Sequence, residues 1–532
     1  MSVKRFFRTF AIFILELVAM VACAFLASLA YPNPFDDQGW GIIAFFSLVP
    51  VFYVINRTGW ARVPFLGLVY GFTFYLFYNY WLSTFHPLAI LLVPILKSVQ
   101  YIVLFPLLKA ATSLFRKHSY IIQALVYVCC LYITQQGFLG YPYGNLSAAL
   151  TEFRTLIQIV DITGIWGLCL LVVLPQTLVA KMLSSFPLRG WYVDVMAIVA
   201  LYLAVIIYGL FAIWRYDAVE SGRIVRIASV QHSADSWEGG DATYRRNFDT
   251  LTRLTEEALA EDPDLVAWSE TAFVPSVSWN LSYPVTPARG ELTREFVDFG
   301  LSMPVPLVTG NPESVLADES LPPILDDGTY NWKKYNTVIL FADGQVQETY
   351  RKQHLVPFTE HFPYQQQFPR LYQLLLENDY NWWEEGHEAT VFTYDGYSFA
   401  TPICFEDTFG YLSADFVARG ADFLLNMSND VWSGSVPAEV QHMQLAVFRA
   451  VENRRPLLRS TNSGISCLVS TTGEVIDPME PFTQSWHIYE VPIYEDAGLS
   501  FYTMFPDLFA KLFIVITAGC FAYAILVGWR KV

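Results

Sequence analysis

Ser398-Phe399-Ala400-Thr401-Pro402-Ile403-Cys404-Phe405-Glu406 is the stretch from which the rest of the chain can be read. Residues 398–403 predict a short buried strand, and residues 406–418 predict a helix. A cysteine stands at the junction. A thiol at a strand end and helix start gains from the helix dipole, which favours thiolate, the nucleophilic form. Two other stretches carry complementary groups just after apolar strands: Trp268-Ser269-Glu270 and Tyr350-Arg351-Lys352. Glu270 can take a proton from the thiol and later from an attacking amine, and Lys352 can stabilise the oxyanion of a tetrahedral intermediate. Three reactive residue types at strand ends are expected to meet at one edge of a sheet. Glu360 and Glu406 are candidates for holding Lys352 by charge pairing.

The 532 residues are 54% hydrophobic, with a net charge of −16, but neither property is evenly spread. Residues 1–214 and 504–532 carry long apolar runs, so each reads as membrane-embedded. Residues 215–503 read as one mixed globular domain, large enough for a full core. That stretch holds 18 Lys+Arg against 42 Asp+Glu, which makes it a poor partner for nucleic acid.

A membrane-crossing helix needs about 20 apolar residues. Spans are expected near 8–30, 40–56, 63–82, 87–108, 119–137, 156–180, 192–214 and 504–529. Basic residues fall on alternate connections: Arg8, Arg57, Arg62, Lys109, Arg116, Lys117, Lys181 and Arg189, together with those at both chain ends. Eight spans put all of them on the cytoplasmic side and the domain 215–503 on the other. Glu16 and Lys97 lie inside spans. They either line a lipid path or serve helix pairing and snorkelling. Asp161 is expected to reach water at the outer end of its span.

Within 215–503, short apolar strands alternate with amphipathic helices, the pattern of an α/β layered domain. Strands are expected at 224–231, 265–268, 305–309, 338–341, 346–350, 398–403, 423–426 and 465–470, with helices at 247–259 and 440–452. Of seven cysteines, five lie in apolar runs; Cys404 and Cys467 do not. No Cys/His spacing suggests a metal site, and the chemistry needs no cofactor.

Several further motifs occur in order. His354-Leu355-Val356-Pro357-Phe358-Thr359-Glu360 follows Lys352. Asn429-Asp430-Val431-Trp432 follows the cysteine, and after it come Arg449–Pro456 and Arg459–Gly464. With these motifs and the eight spans, the chain resembles the apolipoprotein N-acyltransferases, membrane-embedded members of the nitrilase superfamily, over its whole length. Two departures are Ser269, where the family usually has Pro, and Phe405, where it usually has Tyr. The resemblance implies an eight-span helical bundle with an α-β-β-α sandwich domain. It implies Glu270, Lys352 and Cys404 as base, oxyanion stabiliser and nucleophile. It also implies Glu360, Glu406 and Phe405 as supports, and Trp237, Trp432 and Phe358 at the substrate cleft. The acyl donor would be a membrane phospholipid and the acceptor a diacylated apolipoprotein. The protein would be a monomer in a bacterial inner membrane, its catalytic domain facing the periplasm. A membrane-tethered amidase, a related enzyme with another amine acceptor and an inactive scaffold remain the rival readings. The aromatic-rich loop 357–383 would be a membrane-facing arm, a lid over the site or part of the core.

Overall fold

A computed structural model describes residues 3–85, 89–185, 190–219, 221–235, 238–377, 382–494 and 498–529. The chain divides into two compact units. One comprises Met1–Ala218, Ser433–Glu452 and Ser500–Val532; the other comprises Val219–Trp432 and Asn453–Leu499.

The first unit is helical. Phe7–Ser28, the stretch Ala89–Ile133, Val160–Ser184, Tyr192–Asp217 and Leu508–Val527 are long and apolar enough to cross a membrane, and Gly41–Arg57 and Val63–Tyr78 are shorter apolar helices. Small residues set the closest packing. A Cβ on Gly67 would lie 2.3 Å from the carbonyl oxygen of Tyr101, so glycine lets helix Val63–Tyr78 touch the backbone of Ala89–Phe115. Asp161 does not reach water: it is buried and accepts the Tyr208 hydroxyl at 2.7 Å. In apolar surroundings a carboxylate is held by a donor rather than left exposed. Helix Val436–Asn453 contributes residues 436–452 to this unit. Its Gln441 accepts the Trp81 indole N–H at 3.0 Å and donates to the carbonyls of Pro32 (3.0 Å) and Tyr78 (3.2 Å).

The second unit holds two six-stranded sheets. The strands are β1 Arg223–Gln231, β2 Leu265–Ala267, β3 Leu307–Leu316, β4 Trp332–Ala342, β5 Gln345–Arg351 and β6 Phe392–Tyr394. They continue as β7 Tyr397–Ala400, β8 Phe423–Ser428, β9 Leu457–Thr461, β10 Cys467–Val469, β11 Val475–Ile476 and β12 Ser485–Ile493. The orders are β12-β1-β2-β3-β4-β5 and β11-β10-β9-β8-β7-β6. Both central triplets, β1-β2-β3 and β7-β8-β9, are parallel, which requires crossover helices such as Asp241–Leu259 and Pro287–Ser302. These two helices bury Phe248, Leu251, Leu292 and Phe296 against Val266, Trp268 and Phe341 on the first sheet. The sheets meet through small polar side chains: the Ser229 hydroxyl donates to Ser460 Oγ at 2.8 Å, and Ser460 to the carbonyl of Ala267 at 3.2 Å. A strand expected at 398–403 ends at Ala400. The helix expected at 406–418 is a 3-10 turn, Cys404–Thr408, followed by Gly410–Ala418.

Candidate active site

Glu270 comes three residues after β2, where the chain turns away under Trp268, whose indole N–H donates to Thr255 Oγ1 at 2.9 Å. A Cβ at Gly310 on β3 would lie 2.7 Å from the Cα of Glu270, so only glycine lets the neighbouring strand pass this close. Thr271 then takes the left-handed conformation (φ +48°). The Glu270 carboxylate meets donors only. Asn336 Nδ2 donates to Oε1 at 2.7 Å, the Asn429 N–H to Oε2 at 2.9 Å, and Lys352 Nζ to Oε1 at 3.5 Å.

Lys352 is the first residue after β5 and is fully buried. Its N–H continues the ladder to the carbonyl of Asn336 at 2.8 Å. Asn336 thus orients the acid with its side chain and the lysine with its backbone. Lys352 Nζ donates to Glu360 Oε1 at 2.8 Å. Glu360 is itself fixed: its Oε2 accepts the Val356 N–H at 2.8 Å, and its carbonyl accepts the Trp383 N–H at 2.8 Å.

Cys404 comes from the second sheet, four residues beyond β7. Glu270 and Lys352 come from the first. The three groups therefore converge from strand ends of two sheets, not from one sheet edge. Cys404 has φ +50°, an uncommon backbone for a residue with a Cβ, which costs about 1–3 kcal/mol and turns the thiol out of the strand direction. Asn426 on β8 holds this turn, donating to the carbonyls of Pro402 (3.1 Å) and Cys404 (3.2 Å).

Glu406 does not hold Lys352 by a direct ion pair. Its carboxylate accepts the N–H groups of Gln353 (2.7 Å), His354 (2.9 Å) and Ile403 (2.7 Å), and the Tyr350 hydroxyl at 2.9 Å. It pins the lysine strand end and the cysteine turn to one point. Burial pushes this carboxyl up to about 7 despite those donors.

Charges act strongly here because water is excluded. Burial raises the Cys404 thiol well above its ordinary value, and the charge of Glu270 raises it further; Lys352 only partly offsets them. The resting group is therefore a thiol, not the thiolate expected from a helix start. The five-residue turn at 404–408 does not outweigh desolvation. Burial also raises Glu270, against the pull of Lys352. Burial opposes the charge on Lys352, but Glu360, Glu270 and Cys404 outweigh it and hold the ammonium above its ordinary value. A raised carboxyl and a raised thiol lie within electrostatic reach of each other, a condition for proton exchange between them.

A pH profile follows from these directions. Below the raised value of Glu270 the carboxyl carries a proton and cannot accept one from the thiol. Acylation of Cys404 should therefore fall on the acid side at a midpoint above 4.5, the ordinary carboxyl value. No alkaline fall should come from Lys352 below 10.5. Rates measured between about pH 4 and about pH 10 check both limbs. An acid midpoint at or below 4.5 would contradict this account of Glu270.

The other expected site residues have distinct surroundings. Phe405 is buried edge-to-face against Phe409 at 5.0 Å. Trp432 is half-buried in the short turn Val431–Ser433. Trp237 lies outside the described residues. Phe358 is half-buried, with φ +61°, two residues before Glu360. The described residues of the loop 357–383 divide between core and surface. Phe362 is buried and lies 5.7 Å from Phe358, while Tyr372 and Trp382 stack at 5.9 Å. Phe368, Leu371, Leu374 and Leu376, on and beside the short helix Pro369–Leu376, are exposed.

Asn336 and Asn426 are not singled out by the sequence reading, although both hold site residues. A signal was present. Asparagine is depleted in strands, so an asparagine inside Tyr335-Asn336-Thr337-Val338 or Leu425-Asn426-Met427 invites a side-chain duty.

Residues 226–493 match the carbon-nitrogen hydrolase family, and residues 10–178 match the apolipoprotein N-acyltransferase N-terminal domain. Apolipoprotein N-acyltransferase 1 of Treponema denticola is 36% identical over 524 residues, 95% of this chain and 96% of that one. Its namesake from Treponema pallidum is 33% identical over 530 residues, 95% of each chain. Among solved structures, a variant of an amidase from Nesterenkonia AN1, of the nitrilase superfamily, aligns with a TM-score of 0.38 and 18% identity, covering 56% of this chain and 98% of that one. With relatives this similar along nearly the full length of both chains, this chain belongs to the apolipoprotein N-acyltransferase family.

Proposed function

We propose that the protein transfers an acyl chain from a membrane phospholipid to the N-terminal amine of a diacylated lipoprotein. The observation that carries this reading is the buried pair Glu270–Lys352, with Glu360 beside the lysine, whose charges act on the Cys404 thiol in a chain with several membrane-length apolar helices. In the first half, Glu270 takes the thiol proton as sulfur attacks the ester carbonyl. Lys352 faces the resulting oxyanion. The carbon–oxygen bond to the glycerol breaks, the proton on Glu270 goes to the departing alkoxide, and a lysophospholipid leaves. Cys404 then holds the acyl chain as a thioester.

In the second half, the α-amine of an S-diacylglyceryl cysteine attacks that thioester. Glu270 accepts the amine proton as the amide forms and returns it to the departing sulfur. The thiol is restored, and no net proton or electron is exchanged. Glu360 and Glu406 position Lys352 and the cysteine turn. Trp237, Trp432 and Phe358 are assigned to the substrate cleft. The exposed apolar residues of 368–376 fit contact with lipid.

Incubation with phospholipid and no acceptor should add one acyl mass to Cys404, released by hydroxylamine. Adding a diacylated lipopeptide should move that mass to its amine. An adduct that persists in Cys404→Ala would remove this residue from the mechanism, and release of ammonia from small amides would favour the amidase.

Alternation of basic connections supports eight spans, with the catalytic domain facing the periplasm of a bacterial inner membrane. An engineered cysteine at Asp327, in an exposed stretch, should react with an impermeant thiol reagent on intact spheroplasts. Protection until the membrane is opened would reverse the orientation.

A further inference from the structure

Glu16 and Lys97, each set within a long apolar helix, have opposite surroundings. Glu16 pairs with Arg62 at 2.7 Å and accepts the Thr58 hydroxyl at 2.8 Å, so its charge is accounted for within the helices. Lys97 is not. It lies in helix Ala89–Phe115, about 12 Å along the axis from the first residue at 1.5 Å per residue. Among the described residues it has no ion pair and no hydrogen bond; its ammonium stands over the rings of Tyr75 (5.9 Å) and Tyr141 (5.5 Å). A cation beside apolar helix surface with no counter-charge is costly and calls for an anion.

A second, independent observation lies on the same ring. Asn79, just past helix Val63–Tyr78, is fully buried. Its Oδ1 accepts the Tyr141 hydroxyl at 3.1 Å, while its Nδ2 has no partner among the described residues. Buried amide donors are nearly always satisfied, so an unpartnered one marks a place for an acceptor that is not part of the chain. Gln100, one turn after Lys97, turns its NH₂ to the Tyr75 hydroxyl at 3.3 Å rather than offering an acceptor to the lysine. Tyr141 therefore joins an ammonium and an amide N–H₂, both without acceptors. A phosphodiester supplies one negative charge and two free oxygens, enough for both. Leu92, Ile95, Leu96 and Val99 flank Lys97 and are exposed along the same helix. Acyl chains would cover that surface, whereas inorganic phosphate would not.

We infer that Lys97 and Asn79, set on Tyr141, form a binding site for the phosphate of a phospholipid. The site rests on the proposed function only in naming that lipid as a candidate acyl donor; lipid binding itself does not depend on catalysis.

The test uses the full chain carrying Cys404→Ala, so that no acyl transfer contributes. Phosphatidylglycerol binding is read by native mass spectrometry, with diacylglycerol, which lacks the phosphate, as control. Lys97→Met should weaken phosphatidylglycerol binding roughly tenfold, the factor expected for one charge-assisted contact. Lys97→Arg should retain it, and diacylglycerol binding should not change. Asn79→Asp, which keeps the cation but replaces the amide donor on Tyr141 with a carboxylate, should weaken phosphatidylglycerol binding similarly. This arm remains informative if Lys97→Met folds poorly. Unchanged phosphatidylglycerol binding in Lys97→Met and Asn79→Asp would overturn the inference. So would an equal loss of diacylglycerol, or displacement of the lipid by inorganic phosphate at equal concentration. Absence of a thioester on the wild-type chain would instead sink the acyltransferase reading and leave this site standing.

Discussion

Lys352→Met should abolish acyl transfer and also destabilise the protein by about 3–5 kcal/mol, the usual cost of removing one partner from a buried ion pair. Lys352 is fully buried between Glu270 and Glu360, at 3.5 and 2.8 Å. Methionine fills a similar volume but leaves the buried Glu270 and the half-buried Glu360 without a cation. For a unit of this size the loss corresponds to a fall in melting temperature of roughly 10 °C. The sign of its pH dependence follows. Without the lysine the charge that pulls Glu270 down is gone, and burial holds its carboxyl further above the ordinary value, so this group favours folding when protonated. The gap between wild type and variant should widen as pH rises through that raised range and narrow in acid. Adding Glu360→Gln should recover part of the stability and none of the transfer, because the oxyanion partner is still missing. A Lys352→Met protein with unchanged melting and normal turnover would show that the lysine has neither duty.

Glu270→Gln is the second large effect, with transfer expected to fall about 10³-fold, within the range for loss of a general base. Shape is nearly conserved, yet the chemistry is not. Every contact to Glu270 is a donor: Asn336 Nδ2, the Asn429 N–H and Lys352 Nζ. A glutamine must present its own NH₂ to one of them and cannot accept the thiol proton. A separate signature distinguishes a base from a structural support. The charge of Glu270 is one of the causes that raise the Cys404 thiol. Removing it should lower the thiol pKa, so alkylation of Cys404 by iodoacetamide near neutral pH should quicken while acyl transfer collapses. Alkylation that slows in parallel with transfer would mean that the variant has only disturbed the fold around the cysteine.

The positions of eight of the twelve strands were legible, because short apolar runs specify strands wherever one face is buried, whereas the order of the strands in the sheets was not. The strand at 457–461 was missed. It opens immediately after Pro456 and contains Arg459, Ser460 and Thr461, polar residues that read as loop. They are fully buried because the interface between the sheets is itself polar at this point, with Arg459 paired to Asp407. Hydropathy cannot distinguish a polar side chain with a buried partner from one in water. Helix 287–302 was missed for a related reason, since its charged residues obscure a narrow apolar face.

From the sequence alone came the division into apolar and acidic stretches, the positions of most membrane-length helices, and the residue types Glu270, Lys352 and Cys404 in their order. These are local properties: the apolar content of a window and the chemistry of a side chain near a strand end. The tertiary structure alone decided that the three groups converge from two sheets, that Glu406 fastens backbone rather than lysine, and that the resting cysteine is a thiol. It also decided that residues 433–452 pack with the helical unit and that Glu16 has a counter-charge while Lys97 has none among the described residues. Each of these depends on distances between residues far apart in the chain and on how much water reaches them. Neither quantity is encoded in a local window of sequence.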